Sequence, residues 1–439
     1  MTWNKKLLAD YGMILVLAGL CALFSLLTLK RQSGEGQGAA RELAREIRGV
    51  AGGGDVVLVA GAVNTSSADL ARWVGEELGA DKPALDVRIV VGEPRDLRQA
   101  LDKLREEKRR PGVLAAGGEA AKWRVLEQIP KNYPEFGRVR ILSPGEGLQS
   151  SFLKPSNLLA VVDRIVVIAV IAIGMTLVII TGGIDLSVGS LIGLAAVIST
   201  LVMKRMGGLE APASSVLAGF AVAVVSCGLV GALAGGLVAR FGVTPFIVTL
   251  GMMMMMRGLA FMLTGGFSIY QVPSSLTWLG QGRFLGIPNT VLVLAVLYVA
   301  AHLFMSRTRY GRYVYAVGGN AEAARLSGVP VRWVTALVYV VSGVTAGFGG
   351  CIQASQVNTG APNMGTMYEL YVIAAVVVGG TSLAGGTGRI LGTLIGAFII
   401  AVIQNGMNLL GIGSYTQMFV LGAVIVGAVL LDKARQEKM

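Results

Sequence analysis

Histidine occurs once in this 439-residue chain, at His302, and cysteine three times, at Cys21, Cys227 and Cys351. All four lie in apolar runs with no partner at metal-ligand spacing, so the sequence carries neither a zinc-type site nor a disulfide framework. The Gly-x-x-x-x-Gly-Lys-Ser/Thr pattern is missing too, which excludes nucleotide hydrolysis through a P-loop in this chain. Charge is the larger deficit: 15% of residues are charged and 54% hydrophobic, against about 25% and roughly 45–50% in ordinary globular chains. That deficit is uneven. Of 38 Lys/Arg and 26 Asp/Glu, 21 and 18 fall between Lys30 and Lys154, which leaves 25 charges for the other 314 residues. So few charges cannot solvate a globule, and the chain reads as a membrane protein with one soluble insert.

The formal charge is +12, and most of the excess lies from Ser156 onward, where 15 basic residues face 7 acidic ones. Lys and Arg holding cytoplasmic loops on their own side account for this better than a nucleic-acid partner does. The first apolar run, Tyr11–Leu29, follows Lys5 and Lys6 and spans 19 residues. It is longer than the 7–15-residue core of a cleaved signal peptide and has no small-x-small cleavage site, so it reads as an uncleaved helix with a cytoplasmic N-terminus. Residues 1–30 then form an N-terminal transmembrane helix, 31–155 an extracytoplasmic insert, and 156–439 a membrane domain. The expected fold is an α-helical polytopic membrane protein of about ten transmembrane helices with a small inserted α/β soluble domain.

Within the insert, β-rich runs at Asp55–Ala60, Leu85–Val91, Val113–Ala116 and Val139–Leu142 alternate with helical patterns. These cover Ala39–Val50, Ser67–Leu78, Pro94–Arg109 and Gly118–Gln128. The alternation predicts βαβ units and a small parallel sheet. Pro94 suits a first helical position, and Ser66 or Ser67 can accept the free amides of the turn that follows. Gly52-Gly53-Gly54 and Gly117-Gly118 lack phosphate-loop spacing and read as turns. After Ser156 the apolar stretches are Ile165–Ile184, Leu186–Met203, Ala211–Ala239, Phe241–Met256, Phe284–Ser306, Trp333–Tyr368, Leu370–Gly388 and Ile390–Leu431, the last long enough for two spans. Threading ten spans from a cytoplasmic N-terminus puts Arg240, Arg307, Arg309, Arg312, Arg325, Arg332, Arg389, Lys433, Arg435 and Lys438 inside. The outside then receives little beyond Lys204, Arg205, Arg283 and the insert, an asymmetry that supports the threading.

Glycine, at 61 residues, is about twice its usual share of about 7% and predicts close helix packing at Gly228–Gly236 and Gly343–Gly350. One pattern recurs: Gly182-Gly183-x-x-Leu186-x-x-Gly189 and Gly379-Gly380-x-x-Leu383-x-x-Gly386, each followed by Leu-Ile-Gly. Internal repeats of this kind build many transporters. The acidic residues at membrane depth are Asp163, Asp185 and Glu369, and such residues are costly. Asp185, in Gly182-Gly183-Ile184-Asp185-Leu186-Ser187, suits a helix N-cap or a place in the permeation path or gate, and Glu369 has the same two readings. So few buried acids argue against a proton-coupled carrier. The methionine run before Arg257 reads as adaptable packing. Between Arg307 and Pro330 lies the longest cytoplasmic loop. It holds a short helix at Ala321–Leu326, capped by Asn320 and ended by Gly328 and Pro330, suited either to docking a partner or to anchoring the topology.

Several stretches, in order, resemble permease subunits of ribose-type ABC sugar importers. They are Gly174–Ile179 through Gly183–Ser190, then Thr244-Pro245-Phe246-Ile247-Val248-Thr249-Leu250-Gly251, Gly311–Gly328, and Glu369 followed by Val378–Gly386. The resemblance covers residue 156 to the C-terminus. It implies a bacterial-type inner-membrane, multi-pass subunit with both termini cytoplasmic, working as a homodimer or heterodimer of permeases. Its partners would be an ABC ATPase that carries ATP-Mg and an extracytoplasmic sugar-binding protein, with no cofactor in this chain. It also implies that Asn320, Ala321, Glu322, Ala323, Ala324, Arg325, Leu326 and Ser327 form the ATPase-coupling helix. Gly182, Gly183, Asp185, Ser187, Glu369, Gly379 and Gly380 become the motif positions, candidates for the gate. The departure is the insert of about 120 residues, which could add contacts for the binding protein, bind a ligand or act as a spacer. The rival readings are a receptor that senses a ligand through the outer domain, and an ion-coupled carrier.

Overall fold

A computed structural model describes residues 2–52, 55–79 and 85–436. Gly53, Gly54 and Lys438 lie outside the described residues. The chain divides into two compact units, residues 28–151, and residues 1–27 with 152–439. The borders fall a few residues from the compositional shift because the two connecting segments pair with each other. These are β1 (Leu29–Ser33) and β6 (Glu146–Ser150), antiparallel with Leu29 opposite Ser150 and Ser33 opposite Glu146.

The smaller unit is a four-stranded parallel sheet. Its strands are β2 (Val56–Ala62), β3 (Asp86–Gly92), β4 (Pro111–Ala116) and β5 (Arg140–Leu142), in the order β3-β2-β4-β5. The helices α2 (Gly36–Val50), α3 (Ser66–Gly79), α4 (Pro94–Glu106) and α5 (Arg124–Asn132) cover its two faces. Leu58, Leu97, Leu101, Leu104 and Leu114 fill one core and Leu43, Ile47, Val57, Val74 and Val113 the other, as expected when alternate side chains of a strand point to opposite faces. Pro94 opens α4 as predicted, and Asp96 accepts the Glu93 amide at 2.7 Å. Two details differ from the sequence reading. The helix expected over 118–128 is a single 3₁₀ turn at Ala120–Lys122, and α5 starts only at Arg124. Ser67 does not cap α3: its hydroxyl accepts the Ala62 amide at 2.9 Å, while Thr65 Oγ1 accepts the Ser67 amide at 3.3 Å.

The larger unit holds α1 (Thr2–Leu27), α6 (Pro155–Ile180), α7 (Val188–Arg205), α8 (Ser214–Phe241), α9 (Pro245–Thr264), α10 (Thr277–Gly280), β7 (Arg283–Phe284), β8 (Ile287–Pro288), α11 (Asn289–Arg307), α12 (Arg309–Gly319), α13 (Ala321–Leu326), α14 (Val331–Val357), α15 (Tyr368–Val378), α16 (Ile390–Leu409) and α17 (Ser414–Gln436). Among the described residues, 7 of these helices are long and apolar enough to cross a membrane, and Gly12–Leu27, Tyr368–Val378 and Ser414–Leu430 are shorter apolar helices. The expected span over Leu370–Gly388 is a correction. Eleven helical residues rise only about 16 Å, half of a roughly 30 Å hydrocarbon core. The segments on either side of α15 are irregular.

Helix α14 is the hub. Its Gly343 and Gly347 face Cys227 and Val224 on α8, Gly349 faces the Ile171 side chain on α6, and Gly350 faces Ile192 on α7; at Gly343 and Gly350 a methyl group would strike the neighbouring backbone. Glycine thus lets three helices approach one backbone, the role expected for Gly343–Gly350.

Candidate functional site

The two glycine motifs end their helices in the same way. At the end of α6 the Gly182 amide donates to Ile179 and the Gly183 amide to Val178; at the end of α15 the Gly380 amide donates to Val377 and the Thr381 amide to Val376. Both are Schellman turns, which need a left-handed residue after the cap, and Gly182 (φ 78°) and Gly380 (φ 84°) supply it. The structural register therefore differs by one from the sequence repeat. Gly182 corresponds to Gly380, not to Gly379, whose φ of −67° makes it the cap itself.

The two turns meet. Gly386 donates its amide to the Ile180 carbonyl at 2.8 Å, and Gly385 lies against Gly182. Gly318, next to last in α12, closes the same junction, where an added Cβ would strike the Ile180 carbonyl and the Gly386 amide. Asn320 follows directly and caps α13, its Oδ1 accepting the Ala323 amide at 2.9 Å. A third Schellman turn ends α13, with Gly328 (φ 83°) bonded to Arg325 and Val329 to Ala324. Only Ala324 of this helix is buried. Glu322 and Arg325 pair on the exposed face, and the Arg325 hydrogen bond holds the Glu322 carboxyl below its usual range. Thus one rigid, capped helix is two residues from the contact of both motif loops.

Beyond its Schellman turn the first loop climbs into the bundle. Asp185 is fully buried; its Oδ1 accepts the Ser187 amide (3.0 Å) and hydroxyl (2.6 Å), and its Oδ2 accepts the Ser342 hydroxyl (2.7 Å). Ser342 is the twelfth residue of α14, so the loop reaches about 16 Å from that helix's start. The N-cap of α7 is Ser187, and Asp185 acts two residues earlier, as an Asx turn that ties the loop to α14. Ser187 and Gly183 are enclosed with it, Gly183 beneath the Tyr339 hydroxyl.

Residues 358–367 form the second irregular stretch. The segment runs along α7: Gly360 packs on Ala196 and Thr200, Gly365 on Gly189 and Ile192, and Glu369 on Gly189. Irregular backbone at membrane depth must be satisfied by protein. Gly360 exchanges both backbone hydrogen bonds with Ile269, and Arg257 donates to the carbonyls of Pro362 (3.1 Å) and Met364 (2.8 Å). Glu369 and Arg257 attract each other, and Glu369 Oε2 is buried without a hydrogen-bond partner. Met367 enters α15 at φ 69°, a strained position for a residue with a side chain. The first turns of α7 and α15 therefore meet inside the bundle, the arrangement of broken helices from which transporters build their pathways.

Residues 157–429 match a family model described as branched-chain amino acid transport system / permease component. The chain belongs to this permease family. It is similar to the ribose import permease protein RbsC of Escherichia coli K12, 43% identical over 294 residues that cover 66% of this chain and 89% of the relative. RbsC of Bacillus subtilis is 40% identical over 66% of this chain and 88% of its own length. The L-arabinose ABC transporter permease protein AraH of Azospirillum brasilense is 36% identical over 65% of this chain and 83% of its own length. No solved structure matches. The permease is thus a multi-pass transporter subunit, and residues 28–151 lie outside the family match.

The structure gathers most of the sequence-predicted residues of this permease into two places. Gly182 belongs to the junction with α12, Asp185, Ser187 and Glu369 to the enclosed breaks, while Gly379 packs on Gly392 of α16 and Gly380 beside Met13 of α1, away from that junction. Sequence reasoning assigned no part to Ser342, Gly318 or Arg257. The lone arginine inside an apolar run was the available signal for Arg257. Nothing in Val341-Ser342-Gly343 or Val317-Gly318-Gly319 marks a long-range contact.

Proposed function

We propose that the chain is the membrane subunit of an ATP-driven importer that carries a monosaccharide, delivered by an extracytoplasmic binding protein, toward the cytoplasm. The observation that carries this reading is the junction of Gly318 with Ile180 and Gly386, which joins the exposed, doubly capped α13 to the loops that follow α6 and α15. A push on α13 reaches these two loops, and through the first of them Asp185, by close backbone contacts. Relatives named for ribose, L-arabinose and D-allose transport support a sugar as cargo. ATP hydrolysis falls to a separate P-loop subunit that receives α13, and a second permease completes the pathway. In this reading both termini are cytoplasmic and residues 28–151 lie outside. Asp185 and Glu369 hold the breaks, and sugar passes between the two permeases.

The test reconstitutes the chain with its ATPase and binding protein. Exchanging Glu322→Arg and Arg325→Glu keeps an ion pair within α13 but reverses the charge pattern offered to a partner. ATP-dependent uptake is expected to fall at least tenfold while the permease stays monodisperse. Full uptake by the exchanged variant would remove α13 from the mechanism.

A further inference from the structure

A polar cavity of about 330 Å³ lies among α6, α15, α16 and α17, near the end of α16 that leads into α17. Tyr368 and Tyr371, on the first turn of α15, line it with two rings whose centroids are 6.2 Å apart at 60°. Gln404 and Asn408, one turn apart on α16, face it together with Gln417 of α17 and Arg164 of α6. Among the described residues, the Arg164 guanidinium, the Gln404 amide and the Tyr371 hydroxyl have no hydrogen-bond partner, and Asn408 accepts from Gln417 at 2.8 Å while keeping its own amide hydrogens. The walls around these open groups are fixed. Gln353 donates to the Tyr368 hydroxyl at 3.3 Å, Gln417 donates to the Ile412 carbonyl at 2.8 Å, and Asn157 and Asn405 exchange amide hydrogen bonds between α6 and α16 at 3.1 and 2.8 Å. Gln404 lies about 8 Å inside the end of α16. Polar groups at such depth face water and not lipid, so the cavity is a hydrated inlet. Open amide and guanidinium donors beside aromatic rings suit a ring sugar, whose hydroxyls take the donors while its C–H face lies on a ring. The volume is at the small end of ligand pockets, roughly 300–1,000 Å³, which accommodates one sugar ring and not two.

We propose that this cavity is a transit site for a single monosaccharide, its ring stacked on Tyr371 and its hydroxyls held by Arg164, Gln404 and Asn408. The site rests on the sugar-importer reading, and in the topology given there it lies toward the outer face, where a delivered sugar arrives. It also touches the second break. Tyr368 opens α15 directly after the irregular stretch 358–367, and its amide donates to the Gly365 carbonyl at 3.1 Å, with Gly365 itself packed on Gly189 and Ile192 of α7. A sugar against the tyrosine pair therefore bears on the segment that joins α15 to α7. Its few contacts, open to water, hold the sugar weakly, as onward passage requires.

The experiment is saturation-transfer NMR of the full-length chain alone in lipid nanodiscs, free of glycoside detergent, titrated with D-ribose, L-arabinose and D-allose, the sugars for which its relatives are named. At least one sugar is expected to show saturable transfer to its ring protons, and ribitol, which has the hydroxyls but no ring, to bind at least threefold more weakly. Gln404→Leu should weaken sugar binding about fivefold, the effect of one lost hydrogen bond, and Tyr371→Ala at least as much. Thr264→Val, at the end of α9, should change nothing. Gln404→Leu nearly preserves size at a half-buried position, so it reports on the site even if Tyr371→Ala disturbs folding. Absence of saturable binding by all three sugars, equal binding of ribitol, or equal effects of Gln404→Leu and Thr264→Val would each overturn the site. So would displacement of the sugar by inorganic phosphate, which would mark an anion site at Arg164. Neither ATPase nor binding protein is present, so a failure here removes the transit site and leaves the importer reading standing. Absence of ATP-driven uptake beside intact sugar binding would do the reverse.

Discussion

Asp185 accepts three hydrogen bonds in a site closed to solvent, and that count predicts how its variants rank. Ser342→Ala leaves one carboxylate oxygen without its donor and should cost about 1–3 kcal/mol. Asp185→Ala strands two hydroxyls and an amide and should cost about twice as much. Asp185→Asn keeps an acceptor for Ser187 and is expected to stay within about 1 kcal/mol of the parent, with uptake retained. Thermal unfolding in detergent together with sugar uptake checks the series; a stable Asp185→Asn without uptake would restore the permeation role. Neighbouring glycines give a sharper pair. A methyl group at Gly318 has no space, whereas one at Gly319 meets nothing within 4 Å. Gly318→Ala should cost about 1–3 kcal/mol by overpacking and abolish uptake, while Gly319→Ala should be neutral or gain up to about 1 kcal/mol from its helical position. Comparable behaviour of the two variants in the same assays would separate the junction from coupling.

Individual elements differ in how far the sequence disclosed them, and the difference follows the range of the forces involved. The caps of α13 are local, because Asn320 and Gly328 act within one turn, so the helix was legible from Ala321 to Leu326. The four strands were legible from β-rich runs, and their parallel pairing from the intervening helices. The shortness of α15 was not, since Leu370–Gly388 is as apolar as a span and its breaks are set by Arg257, Gly189 and Ile269, distant in sequence. In the soluble unit, hydrogen bonds from Arg88 hold the carboxyls of Asp86 and Glu107 below their ordinary values. A lowered carboxylate contributes stability that is complete above its unfolded pKa of about 4 and disappears as pH falls through the lower folded value. Residues 28–151 expressed alone should thus fold cooperatively on their own two cores and lose stability progressively below about pH 5. Asp86→Asn should flatten that slope and cost no more than about 1 kcal/mol at neutral pH, because the groups are partly exposed. Chemical denaturation followed by circular dichroism across pH 2.5–7 measures both, and an equally steep slope in the variant would exclude Asp86 as its source.

For the whole molecule, composition alone located the insert, since 39 of the 64 charged residues lie between Lys30 and Lys154. It could not place the border at Thr28 and Ser151, which depends on the pairing of β1 with β6. The permease unit has a core of its own, and the family match begins only at residue 157. Removing residues 32–147 and joining Arg31 to Leu148, which face each other in the ladder, through an Asn-Gly turn should leave a monodisperse membrane protein that still binds its ATPase. Gel filtration and co-purification with the ATPase decide this, and aggregation of the shortened chain would show that the two units fold as one. The same neck makes the insertion point a socket. Its strands hold their ends at the roughly 5 Å Cα spacing of an antiparallel pair, so a foreign domain with adjacent termini could be plugged in there without lengthening any membrane helix. A fluorescent or enzymatic reporter grafted at Arg31 and Leu148 would then signal which face of the membrane the socket opens onto.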